Sequence, residues 1–332
     1  MKMVRFLAAA AVLLPACNNL PQGMGNLSGV VVVAPDSVWA VIGDSVYSAL
    51  EPRIFTVRDE RTFEVTHVSP ADAAWADLRR FRQIIAVGAA GDAWVEPALR
   101  RSSNDVDAGI AVAENVWARN QRVWTVVVPA GSAPDAALPH VDPVAQSLDS
   151  IFRAGALQRM YQSRPDTTLQ DSLLRTRGFG ILMPNVYHPL TRDDDVSLFQ
   201  SSTQMGGTLV RSILVVHETG LVPLTMENAL AWRERAAGEL YRPAHETLRD
   251  RVESRTLTVN GLPAMEVQGI WDGTDPSWPM SGPFMARVYH CEEQDRSYLV
   301  DAWVYAPGRP KYEYMVQLAT ILNTFRCGAG QD

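Results

Sequence analysis

The chain has 332 residues, 47% of them hydrophobic and 20% charged, with a net charge of −7. That balance is ordinary for a globular protein and too apolar for a disordered one. No block of Lys and Arg forms a patch for nucleic acid or anionic lipid, so no nucleic-acid partner is expected.

The first element is an export signal. Lys2 and Arg5 precede an apolar run from Phe6 to Leu14, about half the length needed to span a bilayer. Leu14-Pro15-Ala16-Cys17 then gives a small residue before a cysteine, the lipoprotein form of the signal. Residues 1–16 are expected to be removed and Cys17 to become a lipidated first residue; two or three acyl chains, palmitate among them, make a stable membrane anchor. Asn18 stands where an Asp would signal inner-membrane retention, which points to the outer membrane and a body facing the periplasm or the surface. Residues 17–26 form the lipidated cysteine and a polar tether.

The remaining chain of about 315 residues is enough for two lobes with real cores, 27–165 and 166–332. Gly29 to Val33 is a β-branched run ended by Pro35, a buried strand. Trp39, Ile42, Val46 and Leu50 recur at helical spacing and predict a helix over 38–50. Residues 54–68 alternate around a charged Arg58 to Arg61 turn, as a strand pair would. Pro70 starts a helix through Trp75 and Leu78. Ile84 to Val87 is a strand, 108–121 a helix, 123–128 a strand, and 143–162 a long helix. This lobe alternates strand and helix, α/β in texture with mixed strands.

The second lobe changes character. Strands are predicted over 179–183, 198–202, 209–218, 255–260, 264–271, 284–291 and 298–305. Helices are predicted over 226–240, opened by Thr225 and Asn228, and over 312–325. Such a run of strands closed by a helix predicts an antiparallel sheet with helices on one face. The fold class is therefore α+β. Cys291 and Cys327 remain as a pair in an oxidising compartment and are expected to form a disulfide, worth about 4 kcal/mol on the chain-entropy model.

Several runs carry a resemblance. They are Asp36-Ser37-Val38-Trp39 with Gly43-Asp44, Ile181-x-Met183-Pro184-x-x-Tyr187, Gly269-Ile270-Trp271, Met280-Ser281-Gly282-Pro283-Phe284 and Tyr305-Ala306-Pro307-Gly308 before the last helix. In this order the chain resembles, over nearly all its mature length, an uncharacterised lipoprotein family common in Bacteroidetes and catalogued as a domain of unknown function. The resemblance implies a lipid-anchored α+β envelope protein and brings no catalytic residues. Members often carry Gly-Gly-Pro-Phe where this chain has Ser281-Gly282-Pro283-Phe284. The order of the last strands and helix also resembles small sheet-and-helix proteins of the photosystem-accessory type, in architecture alone.

Candidate chemistry is sparse. Gly43-Asp44-Ser45 has the tripeptide of Gly-Asp-Ser lipases and esterases, but no late Asp-x-x-His follows and the helical spacing places Ser45 in mid-helix. His67, His140, His188, His217, His245 and His290 lack metal-ligand spacing, and no metal is expected. His188 with Asp193-Asp194-Asp195 offers oxygen and nitrogen donors to a hard cation, yet without alternating ligands or a turn glycine, so a solvated acidic loop is the better reading. Gly88-Ala89-Ala90-Gly91 follows a strand as a phosphate loop would, without the further glycine or Lys that such loops need.

Trp271, Trp278 and Phe284 flank a Gly/Pro-rich loop with Asp272 and Asp275. Such rings either plug the sheet or form a recognition surface. The sequence as a whole predicts a non-catalytic lipoprotein of the envelope, without cofactor, that binds an unknown protein or small ligand. The alternatives are a hydrolase of the Gly-Asp-Ser type and a solute-binding lipoprotein of a transporter, which needs two matching lobes.

Overall fold

The computed structural model describes residues 20–57, 60–103, 108–191, 195–204 and 208–329. Cys17 and the export signal lie outside the described residues, as do Asp193, Asp194, Gly206 and Gly207. The chain is α+β and divides into two compact units, one of residues 1–45 and 65–141, the other of 46–64 and 142–332. Compaction does not follow the linear order of the lobes expected on either side of residue 165. Residues 142–165 and the short insert 46–64 both fold with the second unit.

The first unit begins with β1 (Gly29–Val33) and α1 (Asp36–Leu50), whose division falls between Ser45 and Val46. The insert carries the short pair β2 (Arg53–Ile54) and β3 (Glu60–Arg61). Then come β4 (Glu64–Val68), α2 (Trp75–Leu78), β5 (Gln83–Gly88), α3 (Glu96–Leu99), β6 (Gly109–Glu114) and β7 (Arg122–Val127). The sheet runs β4-β1-β5-β7-β6. β1, β5 and β7 are parallel, and β6 adds an antiparallel edge. On one face Val31, Val33, Ile84, Ala86 and Val123 pack with Val95 and Ala98.

Two expectations fail here. Residues 109–114 are the edge strand β6, not part of a helix. Ala111 and Ala113 alternate inward there, and the alanines that favour a helix locally are overridden by pairing with β7. The tether is also shorter than expected. Gly23 N donates to Arg119 O at 2.8 Å and Arg82 N to Met24 O at 2.9 Å, so residues 21–25 lie along the sheet's end.

The second unit contains α4 (Val141–Met160), α5 (Thr167–Arg177), β8 (Phe179–Gly180), β9 (His188–Pro189), β10 (Val196–Thr203), β11 (Leu209–Thr219) and α6 (Met226–Leu240). It continues with β12 (His245–Val259), β13 (Leu262–Gly273), β14 (Ser281–Cys291), β15 (Arg296–Tyr305), α7 (Tyr312–Leu322) and β16 (Arg326–Cys327). The Asp166 side chain caps α5 by accepting from Leu169 N at 2.9 Å, and Gly178 (φ 74°) ends it in the left-handed region. Seven strands form one sheet, β12-β13-β14-β15-β11-β10-β9, antiparallel in every pairing.

Both faces of this sheet are covered. Ile213, Met285, Tyr289, Val300, Ala302 and Val304 point to α7. Their neighbours Leu214, Phe284, Ala286, Leu299 and Trp303 point to Ala229, Ala236 and Ala237 of α6. The one-face expectation thus accounts for α7, while α6 shields the opposite side. β14 and β15 are buried along nearly every residue, and neither face could be left to water. α4 joins this unit because the Phe152 ring stacks on Tyr312 (5.2 Å) and meets Phe63 edge-on (5.4 Å). A disulfide joins Cys291 to Cys327, with Cα atoms 5.7 Å apart.

Candidate functional site

A groove lies on the second unit, at the β9–β11 end of its sheet. Register builds it. Ser201 of β10 stands opposite Arg211 of β11, and His188 of β9 opposite Gln200. Alternation puts Ser201 and Arg211 on the α7 side, in line with Phe199 and Ile213. His188, Gln200, Ser201, Ser202, Thr203 and Arg211 line a cavity of about 370 Å³. Val186 and Leu190 complete it as exposed apolar walls, Leu190 at 57%.

Arg211 is fixed by neutral groups. Its Nη1 donates to Gln317 Oε1 at 2.9 Å and its Nη2 to Ser201 Oγ at 3.1 Å. Its guanidinium lies 5.6 Å from the centre of the Tyr187 ring. Gln317, on α7, is only 3% exposed; its Nε2 donates to Ala156 O and to Glu313 Oε1, each at 3.3 Å. Glu313 in turn pairs with Arg159 at 2.8 Å. The chain Arg159–Glu313–Gln317–Arg211–Ser201 thus ties α4, α7, β11 and β10 together. Burial pushes the Tyr187 hydroxyl up to about 12, against the pull of the Arg211 charge.

A second polar cluster lies under α6 and is closed to solvent. Arg233 and Asp301 are fully buried, with Nε to Oδ2 at 3.5 Å. Arg233 also donates to Thr247 Oγ1 at 2.8 Å and sits 4.0 Å over the Phe284 ring. Tyr241 donates to Asp301 Oδ2 at 2.9 Å. His245 stacks on Trp271 with centroids 3.9 Å apart, and Trp303 meets both edge-on. Burial, then the Arg233 charge, brings the imidazole of His245 down to about 2.

The recognition loop is corrected by this cluster. Trp271 and Phe284 are wholly buried, one stacked on His245 and the other under Arg233, so neither can meet a partner. They plug the sheet. Gly282 is required beside them, because a Cβ there would run into the Val304 carbonyl. Trp278 alone is displayed, 59% exposed on a turn held by Asp275 accepting from Ser277 N at 2.9 Å.

The remaining candidates fall apart spatially. Ser45 is exposed within α1, while His67 of the same unit stacks on Trp39 and bonds Ala34 O at 3.0 Å. Above Gly88, Asp92 Oδ2 accepts from Ala89 N at 2.7 Å and Trp94 Nε1 donates to Val87 O. A side-chain carboxylate therefore occupies the amide that a phosphate loop would offer to its ligand. Of the acidic run near His188 only Asp195 is among the described residues. Among the described residues no group of three or more His, Cys, Asp or Glu is placed to hold a metal ion.

Sequence reasoning did not single out Arg211, Gln317 or Ser201. The only signal was an arginine at an inward position of an apolar strand, Val210-Arg211-Ser212-Ile213.

Residues 169–324 match the family model described as Domain of unknown function (DUF4837), and residues 23–163 match Domain of unknown function (DUF8532). The two matches follow one another along the chain, each over less than half of it. No curated protein matches it. Among solved structures it is similar to the Ran-binding protein Mog1p of Saccharomyces cerevisiae, at 12% identity and a TM-score of 0.32, over 46% of this chain and 91% of that one. A point mutant of protein Mog1 is similar at 11% identity and a TM-score of 0.33, over 46% and 92%. A likeness at this level carries no argument about function.

Proposed function

We propose that the chain is a lipid-anchored protein of the bacterial cell envelope whose folded body binds a partner or small ligand without catalysis. One observation carries the reading. Of the three cysteines in the chain, Cys291 and Cys327 are joined to each other, which leaves Cys17 alone, behind Leu14-Pro15-Ala16. A disulfide fits an exported chain, and a cysteine after a short apolar run is where export chemistry adds lipid. Among the described residues no helix is long and apolar enough to cross a membrane.

The hydrolase alternative has lost its geometry, since the serine of the Gly-Asp-Ser run lies on an exposed helix face. A transporter's binding lipoprotein would need matched lobes, and a five-stranded mixed sheet does not match a seven-stranded antiparallel one. Mass spectrometry of the amino-terminal peptide from native envelopes tests the reading. The expected mass is that of Cys17 carrying two or three acyl chains, and Cys17→Ser should move the protein to the soluble fraction. An unmodified Cys17 in native membranes overturns it.

A further inference from the structure

We infer that the groove on β9, β10 and β11 binds a small organic anion, with Arg211 holding the charged head and Val186 and Leu190 covering a short apolar body. This rests on the reading of the chain as a binding protein but not on its anchor.

Arg211 is half-buried, yet its partners are an amide, a hydroxyl and a ring face. Among the described residues no carboxylate pairs with it. Glu313 belongs to Arg159 and touches Arg211 only through Gln317. A guanidinium held only by neutral groups keeps its full charge for a ligand, and it prefers a planar two-oxygen acceptor. The unmet partner here is an anion.

The site is also built rather than incidental. Gln317 is 3% and Ser201 5% exposed, so the groups that aim the guanidinium are locked in the core. They take two of its five N–H donors; Nε is buried without a partner, and one N–H on each Nη remains to meet a ligand. A head group meeting this fork finds it already oriented, so little rotamer entropy is lost on binding. Ser202 and His188 stand on the rim as further polar contacts.

The class of ligand follows from the walls. Leu190 and Val186 rank among the exposed large apolar side chains, at 57% and 36%, and both face this one cavity. An inorganic ion would leave them wet. A volume of about 370 Å³ lies at the low end of small-molecule sites. Together these describe a monoanion with a few carbons, such as a short carboxylate.

Isothermal titration of the full chain carrying Cys17→Ser, which needs no detergent, tests this with hexanoate, hexan-1-ol and inorganic phosphate at pH 7.5. Saturable 1:1 binding of hexanoate is expected, with the alcohol and phosphate each at least ~10-fold weaker. Arg211→Gln should weaken hexanoate at least ~10-fold, and Arg211→Lys by less. Should Arg211→Gln fail to fold, Val186→Asp places a repelling charge on the exposed rim and is expected to weaken binding by a similar factor. Equal binding of hexanoate and hexan-1-ol, phosphate binding more tightly than hexanoate, unchanged binding in either variant, or no saturable hexanoate binding overturns the proposal. Because the protein tested lacks the lipidation site, none of these outcomes bears on the anchor.

Discussion

The two faces of the seven-stranded sheet each bury an arginine against a carboxylate, and they do so in opposite styles. On the α7 face, Glu266 is 1% exposed and accepts from Arg287 Nε, Arg255 Nε and Gln268 Nε2, each at 2.7 Å. Arg287 also donates to Asn323 Oδ1 at 2.7 Å. On the α6 face the Arg233–Asp301 pair is longer, at 3.5 Å. There, among the described residues, Arg233 Nε and Nη2, Asp301 Oδ1, His245 Nδ1 and both tryptophan Nε1 atoms lack hydrogen-bond partners. Only the Arg233 guanidinium is met otherwise, by the Phe284 ring face at 4.0 Å.

The carboxyls answer accordingly. Burial alone would raise Glu266, but Arg287, Gln268 and Arg255 together hold it below the usual carboxylate range. Burial raises Asp301, and Arg233 with Tyr241 does not undo it. A fully bonded ion pair is thus stabilised as charge, whereas burial among rings works against the charged form.

The contrast can be broken by substitution. Glu266→Gln leaves Arg287 buried without its counter-charge and is expected to cost about 3–5 kcal/mol in urea unfolding. Asp301→Asn removes a charge the site already disfavours and is expected to cost about 1–2 kcal/mol. Equal losses would erase the difference between the faces.

Acid sharpens it next. The folded protein keeps His245 neutral down to about pH 2, while the unfolded chain takes the proton below 6.5. Stability should therefore fall by up to about 1.4 kcal/mol per pH unit below 6.5 from this group alone. Phenylalanine at 245 preserves the stack on Trp271 and should flatten that slope; an unchanged slope would show that the α6 face does not exclude the proton. Glu266 contributes in a lower window. Its stabilisation is complete above the unfolded value and is lost as pH falls through the lowered folded one. Asp301 runs the other way, costing stability as pH rises through its raised value. The smallest effect belongs to Arg255→Ala. Its side chain is 63% exposed, and its bond to Glu266 is expected to be worth under about 1 kcal/mol.

Most of the second unit was legible because its strands are apolar runs set off by turn residues and Thr225 marks the start of α6. The helix over 226–240 matches its predicted bounds. The N-terminal half of β12 was hidden by its charged residues and a register shift between Thr247 and Val252. α5 was missed although Asp166 and Gly178 bracket it, because its apolar face is short. The buried ions were harder still. Arg233 sits in a charged run with Glu234 and Arg235 and reads as surface. Only its helical alignment with Ala229, Ala236 and Ala237 betrays an inward position. Which strand would bring Asp301 opposite it is a matter of sheet order, which no local pattern encodes.

Lys311 carries a last consequence. Its backbone N–H and its ammonium both bind the Glu60 carboxylate, at 2.7 and 2.6 Å, so an acid from the early insert caps the final helix. Phe63, from the same insert, fills the corner between Phe152 and Tyr312. A fragment cut at the seam between the two family matches would begin without that plug and without α4 and its Phe152, leaving the Tyr312 side of α7 bare and the helix start uncapped. Co-expressing the two pieces should restore solubility that the C-terminal piece lacks alone, because the insert 46–64 and α4, which complete its unit, are both encoded upstream of the cut.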